Sequence, residues 1–335
     1  MRYIPVGIYP GNQSLHDVTV SSDGMYAYIS FYNGTTLQKI DTRTDTIVGV
    51  TDMTPAALGG NGSWGIIMLS PSNAELMVSG FTSPGYIVSI NTATMAINEK
   101  MSVDLQTGGT SSFIDPHGLA SNANYDTFYT TLEYGNIVNK FWFTPEYNVD
   151  PIPIQGHILK YTSDSTTPDP HQIQMSPDYS KYFVSCQTQT PDSGAVRVMD
   201  AKTDTLIKVI WVGSKPQEMA ISQSKNYLFV VCMEDNNNPT AGALGSVYVI
   251  DYNTLNVVTV LYGYFYQPHD IAVDEQDGLL FIVSTNYSGL APHHVTSPCA
   301  GNPGWYNVYN LNTLMPADNI IYNVPVFPYA ISNRF

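Results

Sequence analysis

The chain has 335 residues, 43% of them hydrophobic, and is therefore long enough to bury a sizeable core. Only 12% of the residues are charged, and the formal net charge is −15, with 13 Lys and Arg residues against 28 Asp and Glu residues. We expect no nucleic-acid partner and no anionic membrane surface as partner, because both are bound through clustered basic side chains.

The composition favours an extracytoplasmic location, meaning periplasmic, cell-surface or secreted. Tyr (24 residues), Ser, Thr and Asn are abundant, whereas Lys and Glu are scarce. No apolar run approaches the roughly 20 residues of a transmembrane segment, and no signal peptide is visible, so an exported protein would be present here as a mature form with an added Met1. Three cysteines do not make a disulfide framework. Cys186 and Cys232 hold matching places in neighbouring repeats and are interpreted as small core residues.

One segment recurs seven times and organises the whole chain. Its clearest copy is the stretch 267–274, in which Pro268 and His269 precede an apolar run. The position of His269 is called the anchor here, and successive anchors are 48, 53, 54, 46, 52 and 60 residues apart. A repeat of about 50 residues predicts a closed array of similar units. The seven predicted anchors are His16, Trp64, His117, His171, Gln217, His269 and Tyr329.

Each repeat contains four short apolar segments that read as strands. After the anchor strand comes a turn of the Ser-x-Asp-Gly or Ser-Pro type, and then an aromatic and β-branched run such as 227–231. A third run ends in an Asp/Asn-x-x-Thr turn, as at Asp200 and Thr203, and a short outer run such as 257–261 follows. No window of any length shows helical periodicity. Four strands in about 50 residues predict a β-propeller blade.

The order of these motifs resembles the YVTN/YncE-type β-propeller repeat. The passage from the fourth repeat into the fifth carries the resemblance best and ends in the Val-Gly-x-x-Pro motif at 212–216. The resemblance extends over nearly the whole chain and implies an all-β fold, with residues 1–335 in a single propeller domain. It implies no particular activity, because propellers host many functions.

The number of blades is less sharply predicted. Seven anchors predict seven blade positions, but only six complete four-strand units occur, between Leu15 and Asn323. We predict an incomplete closing blade that shares an N-terminal strand at 2–10 with a C-terminal strand at 326–335. Further sequence or another chain could complete it, and a propeller of six blades is the alternative.

Unequal loops suggest where the chain binds. Long insertions at 187–194, 233–245 and 286–305 connect the second and third strands of blades four to six, on the face where the anchor strands begin. Long loops on one face of a rigid scaffold commonly carry binding. We predict a non-catalytic binding or scaffold module that contacts a protein, a glycan or a small ligand through this face and belongs to a larger complex.

The anchor position carries four of the seven histidines, and a propeller would place these anchors around its channel mouth. Imidazole is a common ligand for Cu and Zn. The arrangement is similar to the propeller domain of nitrous oxide reductase, although the Cys-x3-Cys motif and copper domain of that enzyme are missing. The alternative function is therefore a copper-like redox or metal-carrying protein, with Cu or Zn as cofactor. Its predicted ligands are His16, His117, His171 and His269, with His293 and His294 as additions from the blade-six loop.

A structural role is the competing interpretation of these histidines. An imidazole at a strand start can cap a carbonyl group and pack between blades, and duplication of one ancestral blade would repeat it. Asp17, Glu218 and Asp270 stand beside anchors. Their carboxylates could orient imidazoles, but we expect them to accept hydrogen bonds from backbone N–H groups at turns.

Whether the chain is an enzyme stays open at this point. No nucleophile elbow, zinc-protease motif, phosphate loop, dinucleotide fingerprint or haem-attachment motif occurs. The weakest alternative is a propeller lyase of the streptogramin-lyase kind, in which one channel histidine acts as general base beside Mg2+.

Overall fold

The computed structural model describes residues 4–7, 15–32, 34–54, 64–81, 85–101, 115–133, 137–142, 170–187, 194–285, 303–326, 328 and 330–333. Within these ranges there is no α-helix. The described residues therefore contain no helix that is long and apolar enough to cross a membrane. The strands form six antiparallel sheets, the blades of a β-propeller. The predicted all-β propeller is confirmed.

The described residues form six blades, so the six-blade alternative is correct and the preferred count of seven is wrong. The seventh copy of the motif instead extends the contacts of blade six. Ile331 N–H donates to Asp270 Oδ2 at 2.6 Å, and Asn333 Nδ2 donates to the Val273 carbonyl at 2.7 Å. Residues 4–7 and 330–333 carry no strand. Pairing of the segments 2–10 and 326–335 stays a prediction, because several of their residues lie outside the described ranges.

Inter-residue contacts divide the chain into two compact units, and the first contains blades one to three. In every blade the strands follow one another in the sheet in chain order. The strands of the first unit are β1 Leu15–Val20, β2 Tyr26–Phe31, β3 Thr36–Asp41 and β4 Thr46–Asp52 in blade one; β5 Trp64–Leu69, β6 Glu75–Gly80, β7 Tyr86–Asn91 and β8 Ile97–Met101 in blade two; and β9 Pro116–Ser121, β10 Thr127–Leu132 and β11 Ile137–Trp142 in blade three.

The second unit contains blades four to six. Its strands are β12 Pro170–Met175, β13 Lys181–Cys186, β14 Gly194–Asp200 and β15 Leu206–Val212 in blade four; β16 Ser214–Ser222, β17 Tyr227–Glu234, β18 Ser246–Asp251 and β19 Asn256–Leu261 in blade five; and β20 Pro268–Asp274, β21 Leu279–Ser284, β22 Pro303–Asn310 and β23 Tyr322–Val326 in blade six.

The middle strands of each blade form the core. In blade four the second and third strands are almost fully buried, as Phe183 and Val198 show, because their side chains pack against the neighbouring sheet. Cys186 and Cys232 are buried core residues, as predicted. The fourth strand is the outer edge, and its solvent side carries exposed residues such as Val258.

The Asp/Asn-x-x-Thr motif proves to be a repeated turn between the third and fourth strands. The Asp200 carboxylate accepts hydrogen bonds from the N–H groups of Lys202 and Thr203, both at 2.9 Å. The fourth residue after it, Asp204, is left-handed with φ 55° and donates its N–H to the Asp200 carbonyl. Asn91, Asp251 and Asn310 repeat the same side-chain turn in other blades. This turn fixes the register of every outer strand in which it occurs.

Candidate functional site

The anchor position is a β-bulge at the start of the innermost strand of a blade. In blade four, Pro170 pairs with Cys186 and Ile173 pairs with Val184, so His171 and the residue after it face a single residue. The same register shift occurs at the start of the other five innermost strands. A bulge removes a residue from the ladder and re-aims its side chain. In each blade the fold therefore sets one anchor residue apart from the regular strand pairing.

A left-handed residue leads the chain into several of these bulges. Asp115, Lys215 and Gln267 stand two residues before an anchor and have φ values of 49°, 51° and 50°. Non-glycine residues adopt this conformation only at a cost. Hydrogen bonds hold it in place, since Thr285 N–H donates to the Gln267 carbonyl at 3.2 Å. A proline follows each of the three and fixes the next φ angle.

The structure shifts the blade-two anchor by one residue, from Trp64 to Gly65. Trp64 still pairs with Gly80, and the bulge lies after it. The Ser30 hydroxyl donates to the Gly65 carbonyl at 2.7 Å, just as the Ser79 hydroxyl donates to the His117 carbonyl at 2.7 Å. Trp64 is instead a buried core residue, and its predicted role as a ligand-contacting residue remains a prediction.

The first unit brings two anchor histidines together. The rings of His16 and His117 lie 5.4 Å apart, centroid to centroid, at an interplanar angle of 75°. Tyr32 stacks on His16 at 6.1 Å, and Phe81 meets His117 edge to face at 5.8 Å. Both imidazoles are buried. Two imidazoles that share one metal ion have centroids roughly 5 to 6.5 Å apart, but aromatic packing gives the same separations.

The second unit brings together the other two. The rings of His171 and His269 lie 6.2 Å apart at 83°, and both are buried. Gln217, the blade-five anchor, is also buried and donates its Nε2 hydrogen to the Lys215 carbonyl at 3.0 Å. A nitrogen of His171 lies within 4.8 Å of a carboxylate oxygen of Glu218. This unit therefore combines two imidazoles with a buried carboxylate.

Two of the three carboxylates beside the anchors accept hydrogen bonds from backbone N–H groups, as expected. Asp17 accepts hydrogen bonds from Val18 N–H and Ile67 N–H, both at 2.7 Å. Asp270 accepts them from Ile271 N–H at 2.7 Å and Ile331 N–H at 2.6 Å. Desolvation raises the pKa of Asp17 to about 7, although its two backbone hydrogen bonds pull the pKa down. The residue as a whole is only half-buried, but its carboxylate is enclosed by protein.

Several predicted site residues lie outside the described ranges. These are Tyr329, His293 and His294, together with most of the insertions 187–194 and 286–305. The structure therefore leaves their predicted roles untested.

The described insertion, residues 233–245 in blade five, is an ordered loop. Asn238 Nδ2 donates to the carbonyls of Gly245 and Gly263, at 2.6 and 3.2 Å. Leu244 N–H donates to the Phe265 carbonyl at 3.0 Å. The loop is thereby joined to the segment 262–267, which leads into blade six. Both connections lie at the end of the blades where the anchor strands begin, as predicted.

A second feature of this surface escaped sequence reasoning. Tyr264 is 43% exposed and Leu244 is 40% exposed. The Tyr264 ring stacks on Trp305 at 5.1 Å, and Trp305 Nε1 donates to the Tyr264 carbonyl at 3.0 Å. Residues 262–266 fall between repeats, where the sequence motif carries no signal. Only the contact with the blade-five loop identifies them as part of one surface, called here the loop platform (residues 233–245 and 262–267).

Comparisons with known proteins define the fold and leave the family open. No family model matches the chain, and no curated protein matches it. Kuenenia stuttgartiensis hydrazine synthase is similar in structure, with a TM-score of 0.67 at 15% identity over 95% of this chain and 89% of that chain. A functionally unknown protein from Desulfotomaculum acetoxidans DSM 771 has a TM-score of 0.59 at 13% identity, over 93% and 89%. Identities this low establish a shared fold and carry no activity across.

Proposed function

We propose that the chain is an extracytoplasmic binding module of the YVTN/YncE type, which uses its loop platform to hold a protein, a glycan or a small ligand. The observation that carries this proposal is the ordered, partly apolar loop platform of the second unit. Composition supports the location, since Lys and Glu are scarce and Tyr, Ser, Thr and Asn are abundant. The repeated Asp/Asn-x-x-Thr turn supports the repeat type.

Preorganisation is the physical reason to expect binding at the loop platform. The hydrogen bonds from Asn238 and Leu244 fix the backbone before any partner arrives. A loop that is already ordered pays less conformational entropy on binding. Asp235 adds to the order, because it accepts hydrogen bonds from Asn237 N–H at 2.9 Å and from the Tyr248 hydroxyl at 3.3 Å.

The exposed chemistry of the loop platform matches that of protein and carbohydrate sites. Tyr264 offers an aromatic face whose orientation is set by Trp305. Leu244 supplies apolar area beside it, and the exposed amides of Asn236 and Asn237 supply polar groups. Rigid aromatic residues surrounded by adaptable polar ones are typical of recognition surfaces.

Binding assays with matched variants test the proposal. The full chain would be screened against a glycan array and, by cross-linking, against extracytoplasmic extracts of the source organism. Every identified partner would then be titrated against Tyr264→Ser and Leu244→Ser. We expect each variant to weaken binding by at least about tenfold, the effect of losing a contact worth 1.4 kcal/mol.

Tyr179→Ser is the matched control. Tyr179 is 40% exposed and lies in the turn between β12 and β13, at the opposite end of the strands from the loop platform. Its substitution should leave binding unchanged. If Tyr179→Ser weakens binding as much as Tyr264→Ser, or if no partner depends on Tyr264 and Leu244, the loop platform is not the binding surface.

A metal-carrying or redox protein is the second candidate function. The observation that favours it is the pairing of anchor imidazoles inside each unit, at 5.4 Å in the first and 6.2 Å in the second. Nitrogen ligands of this kind suit Cu or Zn. Metal analysis of native protein purified without chelator tests this function, and less than roughly a tenth of an ion per chain would reject it.

A further inference from the structure

The outer strand of blade four, β15, has a longer regular edge than the outer strands of blades one, two and five. Among the described residues only β14 pairs with β15, so the other edge of β15 has no partner strand. A register shift lies at Ile207, and every residue of the run 208–212 then pairs in order with β14. The runs that follow the same shift in the other three blades are shorter, at 49–52, 99–101 and 259–261. Bulges limit the pairing of an edge with other chains, and they protect β15 least.

The side chains of β15 leave this edge uncharged towards solvent. Lys208 is the only charged residue of the strand. Its Nζ donates hydrogen bonds to the Leu255 carbonyl at 2.7 Å and to Asn256 Oδ1 at 3.1 Å, so the ammonium group is held by blade five. Charged side chains commonly protect an edge strand from pairing. In β15 the one charge is turned aside, and Trp211 is 52% exposed.

The two faces of the regular run differ in what they contact. Ile210 and Val212 are buried in the core that blade four shares with blade five. Val209 and Trp211 alternate with them along the strand and therefore lie on the opposite face, where Val209 is half-buried and Trp211 is exposed. An aromatic and a β-branched side chain stabilise a sheet when they stand opposite each other on neighbouring strands.

We propose that two copies of this chain associate by pairing their β15 strands antiparallel, across a two-fold axis at Ile210. In this register Trp211 of each copy stands opposite Val209 of the other, and Lys208 stands opposite Val212. No like charges meet. The same strand supplies both sides of the contact, as a closed two-fold dimer requires, and strand addition joins two four-stranded blades into one sheet.

Charge is the reason to expect a second copy at this edge. The net charge of −15 makes two copies repel each other in general, so they can associate only where acidic side chains are absent. β15 contains no Asp or Glu, whereas the regular run of β8 includes Glu99 and that of β4 includes Asp52. A strand that fits this edge must be extended and largely apolar, and β15 itself meets both conditions.

The proposed contact is small, since each copy contributes one strand. Interfaces below about 1,200 Å2 are typically transient, so we expect a dimer that dissociates on dilution. Sedimentation velocity of the full chain between roughly 1 µM and 1 mM, the range of weak affinities, should show an equilibrium between monomer and dimer. The dimer does not depend on binding at the loop platform, so either proposal can fail alone.

Trp211→Lys tests whether β15 is the contact. We expect the association constant to fall at least about tenfold, because a charge would be buried opposite Val209 without a partner. Val258→Lys is the matched control, since Val258 is 48% exposed on the outer strand of blade five. It should leave association unchanged. Both variants change the net charge equally, so overall repulsion cannot account for a difference between them.

A mixture of two variants tests the register. Val209→Glu alone should weaken association as Trp211→Lys does. When Val209→Glu chains are mixed with Trp211→Lys chains, the register sets the introduced carboxylate opposite the introduced ammonium group and keeps one native Trp211–Val209 pair. The mixture should therefore associate more strongly than either variant by itself. Should Val209→Glu fail to fold, the contrast between Trp211→Lys and Val258→Lys decides.

Three results would overturn the proposal. The first is a wild-type chain that stays monomeric up to about 1 mM, which would leave the edge to a strand of another protein. The second is a folded Trp211→Lys variant that associates like the wild type, because the copies would then meet through another surface. The third is a mixture of folded variants that shows no recovery, because Val209 and Trp211 would then not stand opposite each other.

Discussion

The Asp17 carboxylate in blade one accepts a hydrogen bond from the backbone N–H of Ile67 in blade two, at 2.7 Å and across 50 residues of sequence. Asp270 makes the same contact with Ile331 at 2.6 Å. The contact links the bulge of one blade to the motif that follows it. The blades are therefore connected by specific side-chain to backbone bonds in addition to apolar packing.

Asp17 should give the stability of the protein a pH dependence between about pH 4 and pH 7. The pKa of this carboxyl is about 7 in the folded protein against an ordinary value of 3.8. Within that window the folded protein keeps a proton that the unfolded chain has lost, so raising the pH lowers the free energy of unfolding. We expect Asp17→Asn to remove a slope of at most about 1.4 kcal/mol per pH unit, measured by urea unfolding at several pH values.

Asp23→Asn is the control with the opposite sign. Hydrogen bonds from Ser21 and from Met25 N–H lower the pKa of this exposed carboxyl. Its stabilising contribution is present above the ordinary pKa and is lost as the pH falls through the lowered one. Its effect should therefore lie below about pH 4. A difference curve for Asp17→Asn that is flat from pH 4 to pH 7 would contradict the prediction.

Ser79→Ala should destabilise the first unit by about 1–3 kcal/mol, the usual cost of leaving buried polar groups unsatisfied. The buried Ser79 hydroxyl accepts a hydrogen bond from Ile66 N–H at 2.9 Å and donates to the His117 carbonyl at 2.7 Å. Both backbone groups would lose this partner. Denaturant unfolding measures the change.

Ser22→Ala is the control for Ser79→Ala. The Ser22 hydroxyl also joins two blades, through Asn73 Nδ2 at 2.7 Å, but it is exposed to water. Water replaces the lost bond, so the change should stay within about 0.5 kcal/mol. If the two substitutions lower the free energy of unfolding equally, burial does not determine how much the Ser79 hydrogen bonds stabilise the protein.

Gly24→Ala should destabilise the protein by about 1–2 kcal/mol, because Gly24 closes the turn after β1 with φ 68°, a left-handed conformation that a Cβ disfavours. Tyr179 holds the equivalent place in blade four, with φ 56° and the same hydrogen bond, N–H to the Ser176 carbonyl at 2.9 Å. Tyr179→Ala adds no new strain and should change stability little. Thermal and denaturant unfolding of both variants would check the contrast, and similar losses in the two would refute it.

The fold was predictable because the signals for its turns are local. Left-handed turn residues and the Asp/Asn-x-x-Thr motif act through backbone hydrogen bonds within about four residues, so one copy in the sequence suffices to recognise them. The number of blades was not predictable in this way. The seventh motif repeats the Ile67 contact through Ile331, although its described residues, 328 and 330–333, form no strand. The seventh copy of the motif therefore indicated a contact with blade six and did not indicate a further sheet.

The site was predictable only in part, because it depends on register and side-chain length. The histidines at bulges followed from the repeat. The shift from Trp64 to Gly65 did not, since it shows only in the strand register and in the Ser30 hydrogen bond to the Gly65 carbonyl. The hydrogen bond from Gln172 Nε2 to the Glu218 carboxylate depends on the extra methylene that Glu has over Asp and on how blades four and five align.

The bulges at the anchor positions have a practical consequence. Because the ladder on either side closes without the anchor residue, its side chain can be exchanged while the hydrogen bonds of the sheet persist, and the natural chain already places His, Gln and Gly there. Gly65 is the exception among the described anchors, because a Cβ there would lie 2.6 Å from Ser79 Oγ. Libraries randomised at the other described anchor positions would change the buried chemistry of the repeat on an unchanged framework.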